Sequence, residues 1–204
     1  MISSKNDMIL FMKADKIALA RERKRPRVDD LVWRFEISLR KCEYYKNCRR
    51  HSVIGYLVYL FYWLQYERLS VKCGFSIPLN CFDMGLSISH RGSIIVNSGA
   101  KIGKNCRIHV GVNIGTQAGY DHVAPKIGDN VYIGPGAKIF GDITIADNVV
   151  IGANAVVNKN FLSPNVSIAG IPAKVISNKG RFNLGPLENA KFKKMCDLCE
   201  MFRQ

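Results

Sequence analysis

The residues best suited to proton-transfer chemistry in this chain are its histidines, because an imidazole with an unperturbed pKa near 6.5 can exchange a proton at neutral pH. His90 follows Ser89 directly before a glycine-containing apolar stretch. Residue type alone favours a structural role for His90. His109 is expected to face outward without a chemical role, whereas His122, beside Asp121, allows a structural and a functional interpretation equally.

The cysteines predict no metal site. Seven cysteines are present, and Cys196 and Cys199 form a CxxC, but no second pair or neighbouring histidine completes the four ligands of a structural zinc site. No cleavable signal opens the chain, so a reducing cytoplasmic location is expected.

The strongly basic composition predicts an anionic partner. The formal net charge is +14, and nucleic acid, an anionic membrane surface and coenzyme A would all satisfy it. We predict no nucleic acid, and interpret the basic run Arg21–Arg27 as a solvated segment. The apolar run Val53–Leu64 is too short to span a membrane. It predicts a buried helix in an oligomer or, alternatively, a helix lying on a membrane surface.

The first part of the chain, residues 1–74, has the pattern of a small α-helical region. Asp29 and Asp30 are suited to cap a helix, and Gly74 is suited to end one. Between them the apolar spacing predicts two helices, the second from about Ser52 to Val71. Leu31, Phe35, Leu39 and Cys42 would share one face of the first helix.

A six-residue period governs residues 75–177. Aliphatic residues lead successive hexads, and a small or aliphatic residue follows four positions later. This period predicts a mainly β fold, a parallel β-helix in which short strands stack coil upon coil. Glycines after the leaders are expected at corners that need positive φ. The leaders are Ile102, Ile108, Ile114, Ile127, Ile133, Ile139, Ile145, Ile151 and Val157, and the second positions are Cys106, Val112, Ala118, Val131, Ala137, Ile143, Val149 and Ala155.

The period breaks once, since thirteen positions separate Ile114 from Ile127. The segment 116–126 must therefore leave the coil as a loop, and such loops often carry function. Residues 178–204 form a tail whose spacing from Leu187 to Phe202 predicts a short helix.

Three segments together resemble the serine acetyltransferase group of hexapeptide-repeat acetyltransferases. They are Ser89-His90 before Gly92–Val96, the repeats themselves, and Ala169–Lys174. The resemblance covers roughly residues 75–177 and extends to O-acetyltransferases of capsular polysaccharides and exopolysaccharides. It implies a left-handed β-helix, a homotrimer and transfer of acetyl from acetyl-CoA to a hydroxyl, without a metal or a covalent acyl-enzyme. It also implies that His90 is the general base.

Two departures from the family pattern leave the acceptor open between L-serine and a sugar hydroxyl. Ser89 stands where serine-using members carry an aspartate, and Ala124 stands where they place a histidine before Pro125. His122 is a displaced candidate for binding the acceptor, and Asp83 is a candidate for orienting the base.

The resemblance also points to residues for coenzyme A. Small residues would admit the pantetheine arm, two lysines would meet the phosphates, and two loop glycines would present amides to the thioester carbonyl. Each glycine has an equally plausible role as a corner of the coil. The candidates are Gly134, Ala137, Gly152 and Ala153 for the arm, Lys174 and Lys179 for the phosphates, and Gly115 and Gly119 for the carbonyl.

Two other functions are weighed against this one. A metal-dependent hydratase of the carbonic anhydrase type also uses such a coil, but the histidine spacing does not suggest its three zinc ligands. A non-catalytic trimeric assembly module, with a basic surface that binds a polyanion, is the alternative from another class; a failure to bind or hydrolyse acetyl-CoA would favour it.

Overall fold

The computed structural model describes residues 1–120 and 123–184, together with 190, 193, 194 and 198. Three helices precede the coil: α1 (Lys5–Ala18), α2 (Leu31–Tyr44), which continues as one π-helical turn, and α3 (Val53–Cys73). Asp30 caps α2 and Ser52 caps α3. Helix α1 was not predicted from the sequence. Among these residues no helix is long and apolar enough to cross a membrane.

The coil begins directly after α3, where Gly74 adopts the left-handed conformation at φ 76°. Its short strands stack in parallel on three sheets, and only the last pair, β13 and β14, is antiparallel among the described pairings. The strands are β1 (Phe75–Ser76), β2 (Ser87–Ile88), β3 (Ile94–Val96), β4 (Lys101–Ile102), β5 (Arg107–Ile108), β6 (Asn113–Gly115), β7 (Lys126–Ile127), β8 (Tyr132–Ile133), β9 (Lys138–Phe140), β10 (Thr144–Ile145), β11 (Val150–Ile151), β12 (Val156–Val157), β13 (Ser167–Gly170) and β14 (Ala173–Ser177).

The interior of the coil consists of the hexad leaders. Every leader is at most 4% exposed, and Ile108 and Ile133, partners on neighbouring coils, are fully buried. The second positions are buried as well, except Ala118, which lies exposed in the loop. Ala118 was wrongly assigned to the repeat, because the chain has already left the coil after Gly115.

The corner glycines are needed for a different reason from the one predicted. Gly103, Gly128 and Gly134 do not have positive φ. A Cβ on Gly134 would instead lie 2.8 Å from the backbone nitrogen of Ala153 on the next coil, and one on Gly128 would lie 2.8 Å from that of Asp147. Close approach of stacked backbones therefore excludes a side chain at these corners.

Asparagines occupy left-handed positions at one corner of the coil. Asn105, Asn130 and Asn148 have φ of 55°, 57° and 61°. The Asn105 amide donates to Asn130 at 2.9 Å, and the Asn130 amide donates to Asn148 at 3.0 Å. Asparagine tolerates this backbone conformation better than other residues with a side chain, and the stacked amides form a hydrogen-bonded ladder.

A buried ionic cluster joins the helices to the segment that precedes β2. Arg40 on α2 pairs with Asp15 on α1 at 2.7 Å and with Glu43 at 3.0 Å, and all three are at most 2% exposed. Arg40 also donates to the carbonyls of Phe82 and Asp83, while Asp15 accepts from the amide nitrogens of residues 85 and 86. The helices are thus attached to the coil by charge-assisted bonds to its backbone.

Candidate active site

His90 lies in the turn between β2 and β3 with its side chain exposed. It opens onto a polar cavity of about 360 Å³ that separates this turn from the start of α2. A cavity of this size suits a small-molecule site. Its lining combines cationic and acidic groups: Arg21, Arg27, Asp29, Asp30, Leu31, Val32, Ser89, His90 and Arg91.

Ser89, His90 and His109 come together at one corner of the coil. The Ser89 hydroxyl is 3.3 Å from Nε2 of His109 and accepts a hydrogen bond from Arg107 Nε at 3.1 Å. Since Arg107 is the donor in that bond, the Ser89 hydroxyl hydrogen is available to His109. The ring centroids of His90 and His109 are 6.4 Å apart, and His109 also contacts the ring of Tyr132 at 4.9 Å.

A row of small residues leads from this cluster along the coil axis. The register Ile88, Ile108, Ile133, Ile151 and Ile168 places the residues that follow them in one column, namely Ser89, His109, Gly134, Gly152 and Ala169. Four strand spacings make this column about 19 Å long. Ala169 pairs with Lys174 on β14, so the row ends beside an exposed lysine.

The other candidates for coenzyme A differ in accessibility. Ala153 and Lys179 are exposed, whereas Ala137 is fully buried inside the coil and offers no surface to a ligand. Gly115 ends β6, and Gly119 lies in an exposed turn at φ 86° with open space where a side chain would be. His122 lies outside the described residues, as do Cys196, Cys199 and most of the predicted C-terminal helix.

Asp83 is not among the residues that line the His90 cavity. Its carboxylate accepts a 2.7 Å hydrogen bond from the amide nitrogen of Met84, and it lines a separate groove of about 640 Å³ near β4, β7 and β10. That groove is larger than the His90 cavity but contains no histidine among its described lining residues. The volume of a cavity alone therefore does not identify the candidate active site.

Helix α2 supports the strand that leads to His90 through a buried carboxyl group. Glu36 accepts a hydrogen bond from the amide nitrogen of Ile88 at 3.3 Å, and its other oxygen has no partner among the described residues. Burial, followed by repulsion from the Asp15 carboxylate, raises the pKa of Glu36 well above its ordinary value. This environment favours the neutral, protonated form of the Glu36 carboxyl group.

The cysteines of the described chain are poorly suited to nucleophilic catalysis. Burial raises the pKa of Cys42 and Cys106 to about 12 and that of Cys81 to about 11. A thiol must ionise to become a strong nucleophile, so these three stay protonated at neutral pH.

Sequence reasoning missed the acidic and basic side chains that face His90. It treated Asp29 and Asp30 only as helix caps, and it gave the run Arg21–Arg27 no chemistry. Asp30 does cap α2, and it also pairs with Arg21 at 2.8 Å on the cavity wall. At least 60 positions separate these residues from His90, so no local motif connects them. The position of His109 beside Ser89 was missed as well, because Ile88 pairs with Ile108 across 20 positions, whereas the regular coil pairs Ile133 with Ile151 across 18.

Sequence and structure comparisons relate the chain to known transferases. Residues 124–159 match the sequence model of the family described as bacterial transferase hexapeptide (six repeats). A serine acetyltransferase from Staphylococcus xylosus is 40% identical over 99 residues, which make up 47% of this chain and 44% of that enzyme. The coil resembles that of the serine acetyltransferases. The chain matches less than half the length of this relative.

Solved serine acetyltransferases share the fold. The Neisseria gonorrhoeae enzyme in complex with serine matches with a TM-score of 0.63 at 24% identity, over 85% of this chain and 71% of that one. The Brucella abortus enzyme in complex with coenzyme A matches with a TM-score of 0.60 at 24% identity, over 86% and 68% of the two chains. The left-handed β-helix with preceding helices, predicted from the sequence, is confirmed by this likeness to the serine acetyltransferases.

Proposed function

We propose that this protein is an acetyl-CoA-dependent O-acetyltransferase with His90 as its general base. One observation carries the proposal: an exposed imidazole lies on a polar cavity at the end of a column of small residues. The serine acetyltransferase relative and the two solved neighbours, one bound to serine and one to coenzyme A, support the same reaction class.

In this mechanism the acceptor hydroxyl attacks the carbonyl carbon of the thioester while His90 takes its proton. A neutral imidazole suits this step because its basicity matches neutral pH. The tetrahedral intermediate then collapses, the carbon–sulfur bond breaks, and the imidazolium returns the proton to the leaving thiolate. The products are the O-acetyl ester and free coenzyme A, so no other reactant is required.

The coil provides the path for coenzyme A. The pantetheine arm would lie along the column that contains Gly134 and Gly152, next to Ala153, with Lys174 and Lys179 near the phosphates. Because the glycines of this column have no side chains, the pantetheine arm could approach the backbone there. The exposed lysines offer cations to the phosphate groups. Gly115 at the end of β6 and Gly119 in the loop would present amide groups to the developing oxyanion.

The acceptor would bind in the His90 cavity. Asp29 and Asp30 can accept hydrogen bonds from an ammonium group or from hydroxyls, and Ser89 borders the base. L-serine fits the likeness to serine acetyltransferases. A sugar of a capsular polysaccharide or exopolysaccharide is the second candidate, because the cavity, at about 360 Å³, is larger than a free amino acid needs. Homotrimeric assembly and a cytoplasmic location stay predictions.

The test is a thiol assay for coenzyme A released from acetyl-CoA, with L-serine and then a panel of sugars and oligosaccharides as acceptors. His90→Ala should lower kcat by roughly 10²- to 10⁴-fold, since that is the usual contribution of a positioned general base. His51→Ala is the matched control, because His51 is exposed in the turn before α3 and borders no described cavity.

The acceptor panel separates the alternatives. Turnover with L-serine would show that Ser89 can replace the aspartate of serine-using enzymes, whereas turnover with a glycan alone would make the protein a polysaccharide-modifying enzyme. Equal activity of His90→Ala and wild type would reject the mechanism. Absence of turnover and of acetyl-CoA binding would favour the non-catalytic assembly module.

A further inference from the structure

Helix α3 has an apolar outer face that nothing in the described chain covers. Its inner side packs through Tyr66, Leu69 and Cys73, which are at most 8% exposed. Its outer side carries large apolar residues that are 48% to 80% exposed: Val53, Ile54, Leu57, Phe61 and Leu64. A helix that is apolar on both sides is expected to be buried on both.

These outer residues form one continuous stripe. At 100° per residue, Val53, Leu57, Phe61 and Leu64 fall within an arc of about 80°, and the stripe extends for about 16 Å along the helix axis. Tyr56 and Trp63, 42% and 38% exposed, flank it. Aromatic rings with one polar edge are typical of the boundary between lipid and water.

Cations border the stripe at both ends. Arg68 and Lys72 continue the same face toward the C-terminal end of α3, and Arg49 and Arg50 are exposed just before its start. Arg34 of α2 joins Arg68 and Lys72 around a groove of about 300 Å³ whose floor includes Phe61 and Leu64. No carboxylate is found among the described residues that line this groove.

We propose that the outer face of α3 binds an anionic membrane surface, with the groove between α2 and α3 taking a lipid phosphate. The apolar stripe would enter the boundary between headgroups and acyl chains, and the cations would meet the negative headgroups. A second copy of the chain fits this face less well. A two-fold contact would bring the same cations of two molecules of net charge +14 against each other.

The experiment is co-sedimentation of the full chain with vesicles of phosphatidylcholine alone and of phosphatidylcholine mixed with phosphatidylglycerol. Wild type should sediment with the mixed vesicles and stay in solution with the neutral ones. Because each basic residue near an anionic surface contributes about fivefold to binding, Arg68→Glu with Lys72→Glu should lower partitioning roughly 25-fold or more. Leu57→Ser with Phe61→Ser should weaken binding through the lost apolar contact.

The matched control is Lys5→Glu with Lys159→Glu, which changes the net charge equally at exposed positions on α1 and on the coil. This control should retain most of the vesicle binding. Equal loss in the control would overturn the assignment to α3, and failure of wild type to bind the mixed vesicles would overturn the proposal itself. Light scattering without vesicles supplies a further test: a smaller assembly for Leu57→Ser with Phe61→Ser, with vesicle binding unchanged, would assign the face to a second copy instead.

Discussion

The coil and the helices that precede it are stabilised by contacts that differ in sequence separation. In the coil, equivalent residues of adjacent turns meet at sequence separations such as 18, where Asn130 donates to Asn148. The helices are joined to the coil by contacts between residues much further apart, such as Asp15 with the amide nitrogen of Gly85 at a separation of 70. A repeat thus specifies its own neighbours, whereas the helices dock through long-range contacts, both apolar, such as Phe35 with Phe75, and ionic.

This difference predicts how much stability a substitution should remove in each region. A change in one turn of the coil removes contacts with the turns directly beside it, and the other turns keep theirs. A change in the ionic cluster leaves charges buried without partners, at the place where ion pairs of α1 and α2 also bond the backbone of the segment before β2. The largest loss of stability is therefore expected in the cluster.

Replacement of the buried arginine tests this expectation most strongly. Arg40→Met should lower the free energy of unfolding by about 3–5 kcal/mol, because Asp15 and Glu43 would remain buried without their cation. Urea denaturation followed by circular dichroism measures the loss. Arg68→Met is the control at an exposed arginine and should stay within about 0.5 kcal/mol of wild type. A loss below that level for Arg40→Met would mean that the apolar packing of α2 and α3 on the coil is sufficient to hold the helices.

The fold was largely predictable from the sequence because the six-residue period determines the coil. Isoleucine leaders such as Ile133 and Ile151 recur at intervals that only stacked turns satisfy, and they are fully buried as expected. Helix α1 was not predictable in the same way. Its buried Asp15 reads as a surface residue in sequence, and only its pairing with Arg40, which lies 25 positions away, explains its burial.

The asparagine ladder tests the coil with a smaller expected effect. Asn130→Ala should lower the free energy of unfolding by about 2–3 kcal/mol, since it forces alanine to a φ of 57° and removes two side-chain hydrogen bonds. Asn130→Gly removes the hydrogen bonds alone and should lower it by about 1 kcal/mol. Thermal or urea unfolding of both variants separates the two causes.

Exposed Asn158 supplies the control, since Asn158→Ala has neither a left-handed φ nor a described ladder bond to lose. Equal losses for alanine and glycine at position 130 would show that the hydrogen bonds, and not the backbone conformation, require asparagine there.

The candidate site was predictable only in part, for a related reason. His90 was singled out by its motif, whereas His109 was expected to face outward, since the pairing of Ile88 with Ile108 departs from the regular period. The wall opposite His90 comes from Asp29, Asp30 and the preceding arginines. That wall depends on how α2 docks, and α2 docks through long-range contacts, the ionic cluster and apolar packing together, rather than through any local pattern.

An effect that is small near pH 4 concerns a carboxyl group at the boundary between the two regions. Glu36 is buried, and the pKa in the folded protein is raised well above its ordinary value of 4.5. The unfolded chain therefore releases this proton at lower pH than the folded protein does, and the contribution of Glu36 to stability is lost as pH rises through the folded pKa.

Glu36→Gln, which imitates the neutral acid, should remove this part of the pH dependence. Near pH 4 the variant should match wild type to within about 0.5 kcal/mol, and its advantage should grow as pH increases. Urea denaturation of both proteins between about pH 4 and 9 measures the difference. A constant difference across that range would show that Glu36 is ionised in the folded protein and that the strand leading to His90 is held by a carboxylate.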